Sequence, residues 1–133
     1  MASAEPAYLD SSALFKLVVD EDESAPLRSW TDSRTLVSSE IAIVEVSRGV
    51  RRVGRADRFD DLIGALVERV SLAPVSRDLL RSAAAIESPH LRALDAIHIA
   101  TASLLAAEAI FVTYDHRQFE AAEAVGLQVL APA

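Results

Sequence analysis

The sequence predicts an α/β fold: a three-layer α/β/α sandwich around a central parallel sheet of about five strands. Short apolar runs alternate with longer stretches of helical periodicity, which is typical of βαβ units. The run from residue 109 to 113 is almost wholly apolar and rich in β-branched residues, as in strands that are covered on both faces. With 133 residues the chain is long enough for one hydrophobic core. We therefore predict a single domain over residues 1–133.

Turn residues and apolar runs place the individual elements. The predicted strands are residues 7–9, 35–38, 70–75, 109–113 and 127–130. The predicted helices between them are residues 13–19, 24–30, 39–53, 59–67, 76–86, 94–108 and 117–125. Serines are expected to begin four of these helices, namely Ser11 or Ser12, Ser24, Ser39 and Ser76. Two glycines are expected to end helices, namely Gly54 and Gly126.

Helical spacing predicts which face of three helices is buried. In the third helix, Ile41 and Val44 should face the core. In the helix that follows, the predicted apolar face consists of Phe59, Leu62, Ile63, Leu66 and Val67. In the helix around residue 95, it consists of Leu94, Ile97, Thr101, Leu104 and Leu105. Asp95 then lies at the edge of that face, where a polar group can reach a cleft.

The composition excludes several kinds of function. The chain has no cysteine, which excludes thiol catalysis, cysteine-based zinc sites and disulfide scaffolds. A net charge of −7 disfavours a general nucleic-acid coat protein, because such proteins bind phosphates through Lys and Arg. The chain begins without a signal-peptide pattern, and no run approaches the roughly 18 apolar residues of a membrane span. We expect a soluble, cytoplasmic protein with no membrane partner.

Four carboxylates are expected to meet at one edge of the sheet. Asp10 and Asp115 follow separate apolar strands, at the edge where open parallel sheets bind ligands. Glu45 and Asp95 lie near the starts of helices that follow crossovers. Right-handed connections bring such helix starts to the same edge. The sequence therefore predicts a cluster of acids there.

Taken one at a time, these acids also have ordinary structural interpretations as turn formers, helix caps or solvated charges. Their convergence favours chemistry, because like charges within a few Å cannot all stay ionised without a cation. All-oxygen ligands favour Mg²⁺ or Mn²⁺ over zinc. Such ions activate water for attack on a phosphodiester. The hydroxyl of Ser11 or Ser12 is a candidate to hold a metal-bound water or a phosphate oxygen.

At these positions the sequence resembles the PIN-domain nucleases, and among them the VapC-type toxins of bacterial toxin–antitoxin pairs. The segments that carry the resemblance, in family order and at family spacing, are Tyr8–Leu14, Ser39–Glu45, Leu94–Ala102 and Val112–Asp115. In the family's pattern the catalytic and metal-binding acids match Asp10, Glu45, Asp95 and Asp115. The small hydroxyl position beside the first acid matches Ser12.

Glu40 competes with Glu45 for the position of the second acid. We prefer Glu45 because the family places this acid inside the helix, and because Gly49, one turn further on, should leave space beside it. His98 lies one turn after Asp95 on the same helix. We expect it to be a packed or hydrogen-bonded histidine rather than a general base, since a two-metal mechanism generates hydroxide without one.

The resemblance implies a PIN-like fold and a Mg²⁺- or Mn²⁺-dependent endoribonuclease that acts on tRNA, rRNA or mRNA. It also implies inhibition by a cognate VapB-like antitoxin, and a homodimer. Arg48, Arg51 and Arg52 belong to a cluster of five arginines between residues 48 and 58. They are candidate contacts to RNA or to the antitoxin, and a solvated helix face is the other interpretation.

Two further functions are compatible with the sequence pattern. A PIN-like module that has lost turnover would only bind RNA or a protein. A phosphoreceiver or phosphatase would share the α/β sheet, but it needs a second acid close to Asp10, where Ser11 and Ser12 stand.

Overall fold

Five parallel strands form the central sheet of the computed structural model, which describes residues 4–133. The strands are β1 (Ala7–Leu9), β2 (Leu36–Ser39), β3 (Ser71–Ala73), β4 (Ile110–Val112) and β5 (Val129–Leu130). Their order across the sheet is β3-β2-β1-β4-β5, and every neighbouring pair is parallel. Each predicted strand is therefore present, although most are shorter than predicted.

Helices cover both faces of the sheet. They are α1 (Ser11–Val18), α2 (Ser24–Thr31), α3 (Ile41–Arg52), α4 (Phe59–Arg69), α5 (Arg77–Ala84), α6 (Ala93–Leu105) and α7 (His116–Ala124). A single 3₁₀ turn at Ala56–Arg58 precedes α4. Helices α1 to α4 pack on one face, α6 and α7 pack on the other, and α5 lies against α6. The predicted three-layer α/β/α architecture is confirmed.

Alternating side chains of the strands supply two separate cores. Ala7 and Leu9 of β1 join the core under α1 to α4, whereas Tyr8 joins the core under α6 and α7. In β4, Ile110 joins the core under α1 to α4, and Phe111 joins the core under α6 and α7. Because successive side chains of a strand point to opposite faces, burial on both faces requires nearly continuous apolar runs.

The helix starts differ from the predicted serine caps. Asp10, not a serine, caps α1, because its carboxylate accepts a hydrogen bond from the backbone N–H of Ala13 at 3.1 Å. Ser24 lies inside α2, and its hydroxyl ties the preceding loop by accepting from the backbone N–H of Glu21 at 2.8 Å. The N-cap residue of α3 is Glu40, which makes no side-chain cap, and Ser39 only accepts from the backbone N–H of Ile41 at 3.3 Å. Only the cap by Ser76, on α5, is confirmed.

The predicted buried faces of α3 and α6 are wrong in part. Val44 of α3 is 62% exposed, and the residues buried on that helix are Ala42, Val46, Gly49 and Val50. On α6 the leucines Leu94, Leu104 and Leu105 are all exposed, and residues 98–102 are buried instead. The small residues Ala100 and Ala102 form part of the buried face of α6, together with the larger side chains of His98 and Ile99. Val67 of α4 is also exposed.

Two glycines end helices as predicted. Gly54 and Gly126 have φ angles of +76° and +92°, in the left-handed region that residues with a Cβ rarely adopt. In each case the chain turns sharply out of the preceding helix.

The strand order excludes the phosphoreceiver alternative. Phosphoreceiver sheets have the order 2-1-3-4-5, whereas this sheet has the order 3-2-1-4-5. In this order the direction of winding reverses between β1 and β4, and ligand crevices of open α/β sheets lie at such points. Across residues 4–133, none of the helices combines the length and the apolar character that crossing a membrane would require.

Candidate active site

The crevice between β1 and β4 contains the first acid. Asp10 directly follows β1, and its backbone N–H donates to the carbonyl of Val112 at the end of β4 at 3.2 Å. Thr113, Tyr114 and Asp115 then lead from β4 into α7. The two strand ends thus bring Asp10 and the Thr113–Asp115 segment together, as predicted.

Asp10 is buried and accepts hydrogen bonds on both carboxylate oxygens. Ser12 Oγ donates to Oδ1 at 2.6 Å, and Thr113 Oγ1 donates to Oδ2 at 2.5 Å. Only 3% of the residue is exposed. Burial raises the pKa of Asp10, and the hydrogen bonds from Ser12 and Thr113 offset this only in part. The carboxylate is therefore held rigidly, at a cost that a nearby cation would relieve.

Glu45 lies just after the first turn of α3 and is held by two side chains. Ser11 Oγ donates to Glu45 Oε1 at 2.5 Å, and His98 Nε2 lies 2.8 Å from the same oxygen. Burial alone would raise the pKa of Glu45, but the hydrogen bond and charge of His98, with the bond from Ser11, outweigh it and lower the pKa. Glu45 is thus an ionised carboxylate at neutral pH.

His98 is buried and hydrogen-bonded through both ring nitrogens, as predicted. Its Nδ1 lies 2.7 Å from the hydroxyl of Tyr8, and its Nε2 contacts Glu45. Tyr8 is stacked on Phe111, with ring centroids 5.3 Å apart. If Tyr8 donates to Nδ1, the imidazole carries its proton on Nε2 and donates it to Glu45. This chain of contacts from β1 through α6 to α3 was not predicted from the sequence.

Asp95 and Asp115 lie further out, at the starts of α6 and α7. Asp115 caps α7 by accepting from the backbone N–H of Gln118 at 3.0 Å. Both acids line an open cleft of about 330 Å³, whose other lining residues are Arg92, Tyr114, His116 and Arg117. Burial raises the pKa of Asp95, and the charges of Asp115, Asp10 and Glu45 raise it further. The four acids therefore share one electrostatic field.

We call Asp10, Glu45 and their hydrogen-bond partners the inner half of the site, and Asp95, Asp115, Arg92 and Arg117 the outer half.

Over residues 4–133, no three His, Asp or Glu side chains lie close enough together to form an ion-binding group by themselves. Mg²⁺ is commonly held by one or two carboxylates, with waters and substrate phosphates completing its shell. All-oxygen donors with surplus negative charge fit such an ion.

Glu40 and Gly49 do not have the surroundings predicted for them. Glu40 is exposed, and its Oε1 accepts from the backbone N–H of Val75 at 3.0 Å, so it ties α3 to the loop after β3. A Cβ at Gly49 would lie 2.9 Å from Cε2 of Phe15. Gly49 therefore makes room for Phe15 of α1, and not for Glu45.

The arginine cluster lies outside the acidic cleft. Arg48, Arg51 and Arg52 are exposed on α3, and the guanidinium of Arg51 lies 4.7 Å from the centroid of the Phe59 ring. The basic residues that line the cleft are Arg92 and Arg117, which the sequence analysis missed. Their closeness in sequence to two predicted site acids could have indicated them: Arg92 lies three residues before Asp95, and Arg117 lies two residues after Asp115.

Comparison with known proteins agrees with this architecture. The PIN domain family matches residues 7–124 of the chain. This chain belongs to the PIN-domain family. Ribonuclease VapC35 of Mycobacterium tuberculosis is 40% identical over 131 residues, which cover 94% of this chain and 96% of that protein. The predicted membership of the VapC-type PIN domains is thereby confirmed.

Two solved structures share the fold. Mycobacterium tuberculosis VapC20, a toxin that cleaves the sarcin–ricin loop, has a TM-score of 0.75 at 15% identity and covers 95% of this chain and 99% of its own. A chain of a toxin–antitoxin complex from Klebsiella pneumoniae has a TM-score of 0.70 at 22% identity, covering 96% and 98%. At these identities the structures support the PIN fold itself.

Proposed function

We propose that this chain is a Mg²⁺- or Mn²⁺-dependent endoribonuclease and the toxin of a toxin–antitoxin pair. The observation that carries the proposal is the meeting of the β1 and β4 ends, which brings Asp10 to the segment that leads into Asp115, with Asp95 close enough to Asp115, Asp10 and Glu45 for their charges to raise its pKa. The relative with 40% identity, VapC35, is a ribonuclease. The fold neighbour VapC20 is a toxin that cleaves an RNA loop.

Each half of the site has a role in this proposal. The four acids would hold the cations, which, when bound, lower the pKa of water and polarise a phosphoryl oxygen. Ser12 and Thr113 orient the carboxylate of Asp10, and Ser11 and His98 orient that of Glu45. Asp95 and Asp115 face the open cleft through which RNA would enter.

The partners follow from the same proposal. We propose a VapB-like antitoxin as inhibitor, a homodimer as the working state, and the cytoplasm as the location. The fold shared with a chain of a toxin–antitoxin complex supports the antitoxin. Arg48, Arg51 and Arg52 remain candidate contacts to RNA or antitoxin, and residues 1–133 are proposed to act as one PIN domain.

RNA cleavage with and without metal tests this function. The purified chain and its Asp10→Asn variant are each incubated with a labelled structured RNA. The reactions contain Mg²⁺, Mn²⁺ or EDTA. We expect EDTA to abolish cleavage and Asp10→Asn to slow it on the order of a thousandfold, because bound metal supplies several kcal/mol of transition-state stabilisation. Asparagine also caps helices, so α1 should remain intact.

Two outcomes would contradict the proposal. Cleavage that survives both EDTA and Asp10→Asn would exclude a metal nuclease built on these acids. RNA binding without cleavage by the unmodified chain, in either metal, would favour the alternative of a PIN-like module that has lost turnover.

A further inference from the structure

Two arginines share the outer cleft with two acids without pairing with them. Arg92 immediately precedes α6, and Arg117 lies in the first turn of α7. Both are exposed and line the cleft beside Asp95 and Asp115. Among residues 4–133, the guanidinium groups that form salt bridges belong to Arg28 and Arg58 only. Within the described residues, no arginine therefore neutralises the acids of the cleft, and no carboxylate neutralises its arginines.

The cleft brings basic and acidic side chains together in a chain with a net charge of −7. Arg92 and Asp95, which both lie at the start of α6, do not form a salt bridge with each other. A cleft lined by separate cationic and anionic groups matches a ligand that carries phosphates and brings a divalent cation with it.

We infer that Arg92 and Arg117 form a phosphate subsite for the RNA backbone, next to the phosphodiester that is cut. This inference rests on the proposed function, because it assigns the substrate's backbone to that site. The planar guanidinium fork donates two parallel hydrogen bonds to phosphate oxygens.

Such a subsite positions RNA without reading its sequence. Contacts to phosphates fix the register of a nucleic acid and carry no base information. They also make binding depend on salt, because each neutralised phosphate releases counterions. Loss of either arginine should therefore weaken RNA binding about equally for different sequences.

The test is a salt titration of RNA binding. The full chain is titrated into a fluorescent single-stranded RNA of mixed sequence, in EDTA and in parallel in Ca²⁺, and Kd is measured by anisotropy at several salt concentrations. We expect Arg92→Gln and Arg117→Gln each to raise Kd about tenfold at low salt and to reduce the slope of log Kd against log salt by about 0.7. A single-stranded DNA of the same sequence should show the same change, because phosphate is shared.

Two control variants sharpen the test. Arg81→Gln removes an exposed arginine in the last turn of α5, outside the cleft and outside the arginine cluster of residues 48–58, and it should leave Kd and the slope close to those of the unmodified chain. Arg92→Lys keeps the charge but loses the fork, so it should restore the slope while recovering only part of the affinity.

Three results would overturn the subsite: no RNA binding in either condition, an unchanged slope in both glutamine variants, or an equal loss in Arg81→Gln. Failure of the subsite and failure of the nuclease are distinguishable. Metal-dependent cleavage with arginine-independent binding would remove the subsite alone. Arginine-dependent binding by a chain that never cleaves would remove the nuclease alone.

Discussion

The inner and outer halves of the site are built in opposite ways. In the inner half, Asp10 and Glu45 are held by hydroxyl groups and by His98, which Tyr8 holds in turn. In the outer half, Asp95 lines an open cleft beside arginines with which it does not pair. The inner half is preorganised by the protein, whereas the outer half depends on what binds there.

Glu45 of the inner half and Asp95 of the outer half respond oppositely to pH. The pKa of Glu45 is lowered from 4.5, so its ionised form contributes stability above that value, and this contribution is lost as pH falls through the lowered pKa. The pKa of Asp95 is raised from 3.8 in the folded chain. Ionisation of Asp95 therefore removes stability as pH rises from 3.8 through the raised pKa. Contacts with His98 and Ser11 thus stabilise the ionised form of Glu45, whereas burial and the charges of the other acids destabilise that of Asp95.

The largest effect expected from this comparison is that of neutralising Glu45 in the inner half. Glu45→Gln keeps an oxygen that can accept from Ser11 and His98 but removes the charge. We expect RNA cleavage to slow by about 10²–10³-fold, a loss comparable to removing one preorganised electrostatic group from an active site. Single-turnover cleavage in Mn²⁺ measures it.

Glu40→Gln is the matched control for this change. The glutamine oxygen can still accept from the backbone N–H of Val75, so cleavage should stay close to that of the unmodified chain. A larger loss in Glu40→Gln than in Glu45→Gln would reverse the assignment of the second acid.

The next largest effect concerns the support of the inner half. Tyr8→Phe keeps the ring that stacks on Phe111 but leaves His98 Nδ1 buried without a partner. We expect a loss of about 1–2 kcal/mol in the free energy of unfolding. We also expect a Mn²⁺ affinity about tenfold weaker, because partners that orient a metal ligand typically affect affinity by 10–100-fold. Urea unfolding and calorimetric Mn²⁺ titration measure the two effects.

Tyr114→Phe is its control, because it removes a hydroxyl that donates to the carbonyl of Pro132 instead of to His98. Unchanged Mn²⁺ affinity in Tyr8→Phe, or an equal loss in Tyr114→Phe, would show that the contact from Tyr8 to His98 does not position Glu45.

A smaller effect tests how the two helices of the inner half are spaced. In Gly49→Ala, the new Cβ would meet the ring of Phe15 on α1 at 2.9 Å. Overpacking costs about 1–3 kcal/mol, and the gain in helix propensity returns about 1 kcal/mol, so a net loss of about 0–2 kcal/mol is expected. Gly64→Ala on α4, where a Cβ meets open space, should instead gain about 0.5–1 kcal/mol. Equal gains in urea unfolding would contradict a tight contact at Gly49.

The parts of the fold that were predicted from the sequence depend on local signals. Strand β4 is apolar throughout and Gly126 ends α7, and both were found by pattern alone. The buried face of α6 was not, because apolar side chains surround this helix and periodicity then carries little information. Packing decides its orientation: Ile99, Ala100 and Ala102 are buried against the sheet and α5, whereas Leu104 is exposed.

In the candidate site, too, some features were predictable from the sequence and others depend on packing. Asp10 and Asp115 follow strands, and a parallel sheet brings such residues to one edge whatever the details. The contact between His98 and Glu45 joins helices from opposite faces of the sheet, which no sequence spacing specifies. Arg92 was not predicted for another reason. The arginines of α3 form a cluster in the sequence, whereas Arg92 and Arg117 lie far apart in the sequence and come together only in the fold.

The smallest expected effect is on the metal-free outer half. Asp95→Asn removes a carboxylate whose pKa is raised by burial and by the other three acids, so the melting temperature of the metal-free protein should rise by a few degrees near neutral pH. The rise should vanish as pH falls below 3.8, where Asp95 is protonated in the folded and the unfolded chain alike. Thermal unfolding between acidic and neutral pH, in EDTA and in Mn²⁺, measures both.

Asp78→Asn is the matched control, because Asp78 is also a first-turn acid but lies on α5 and is exposed. Its loss should lower stability slightly, by about 0.3–1 kcal/mol, since a first-turn acid interacts favourably with the helix dipole. In Mn²⁺ the order should reverse: the unmodified chain and Asp78→Asn gain stability from the ion, and Asp95→Asn gains little. An Asp95→Asn protein stabilised by Mn²⁺ as much as its parent would place the ion in the inner half alone.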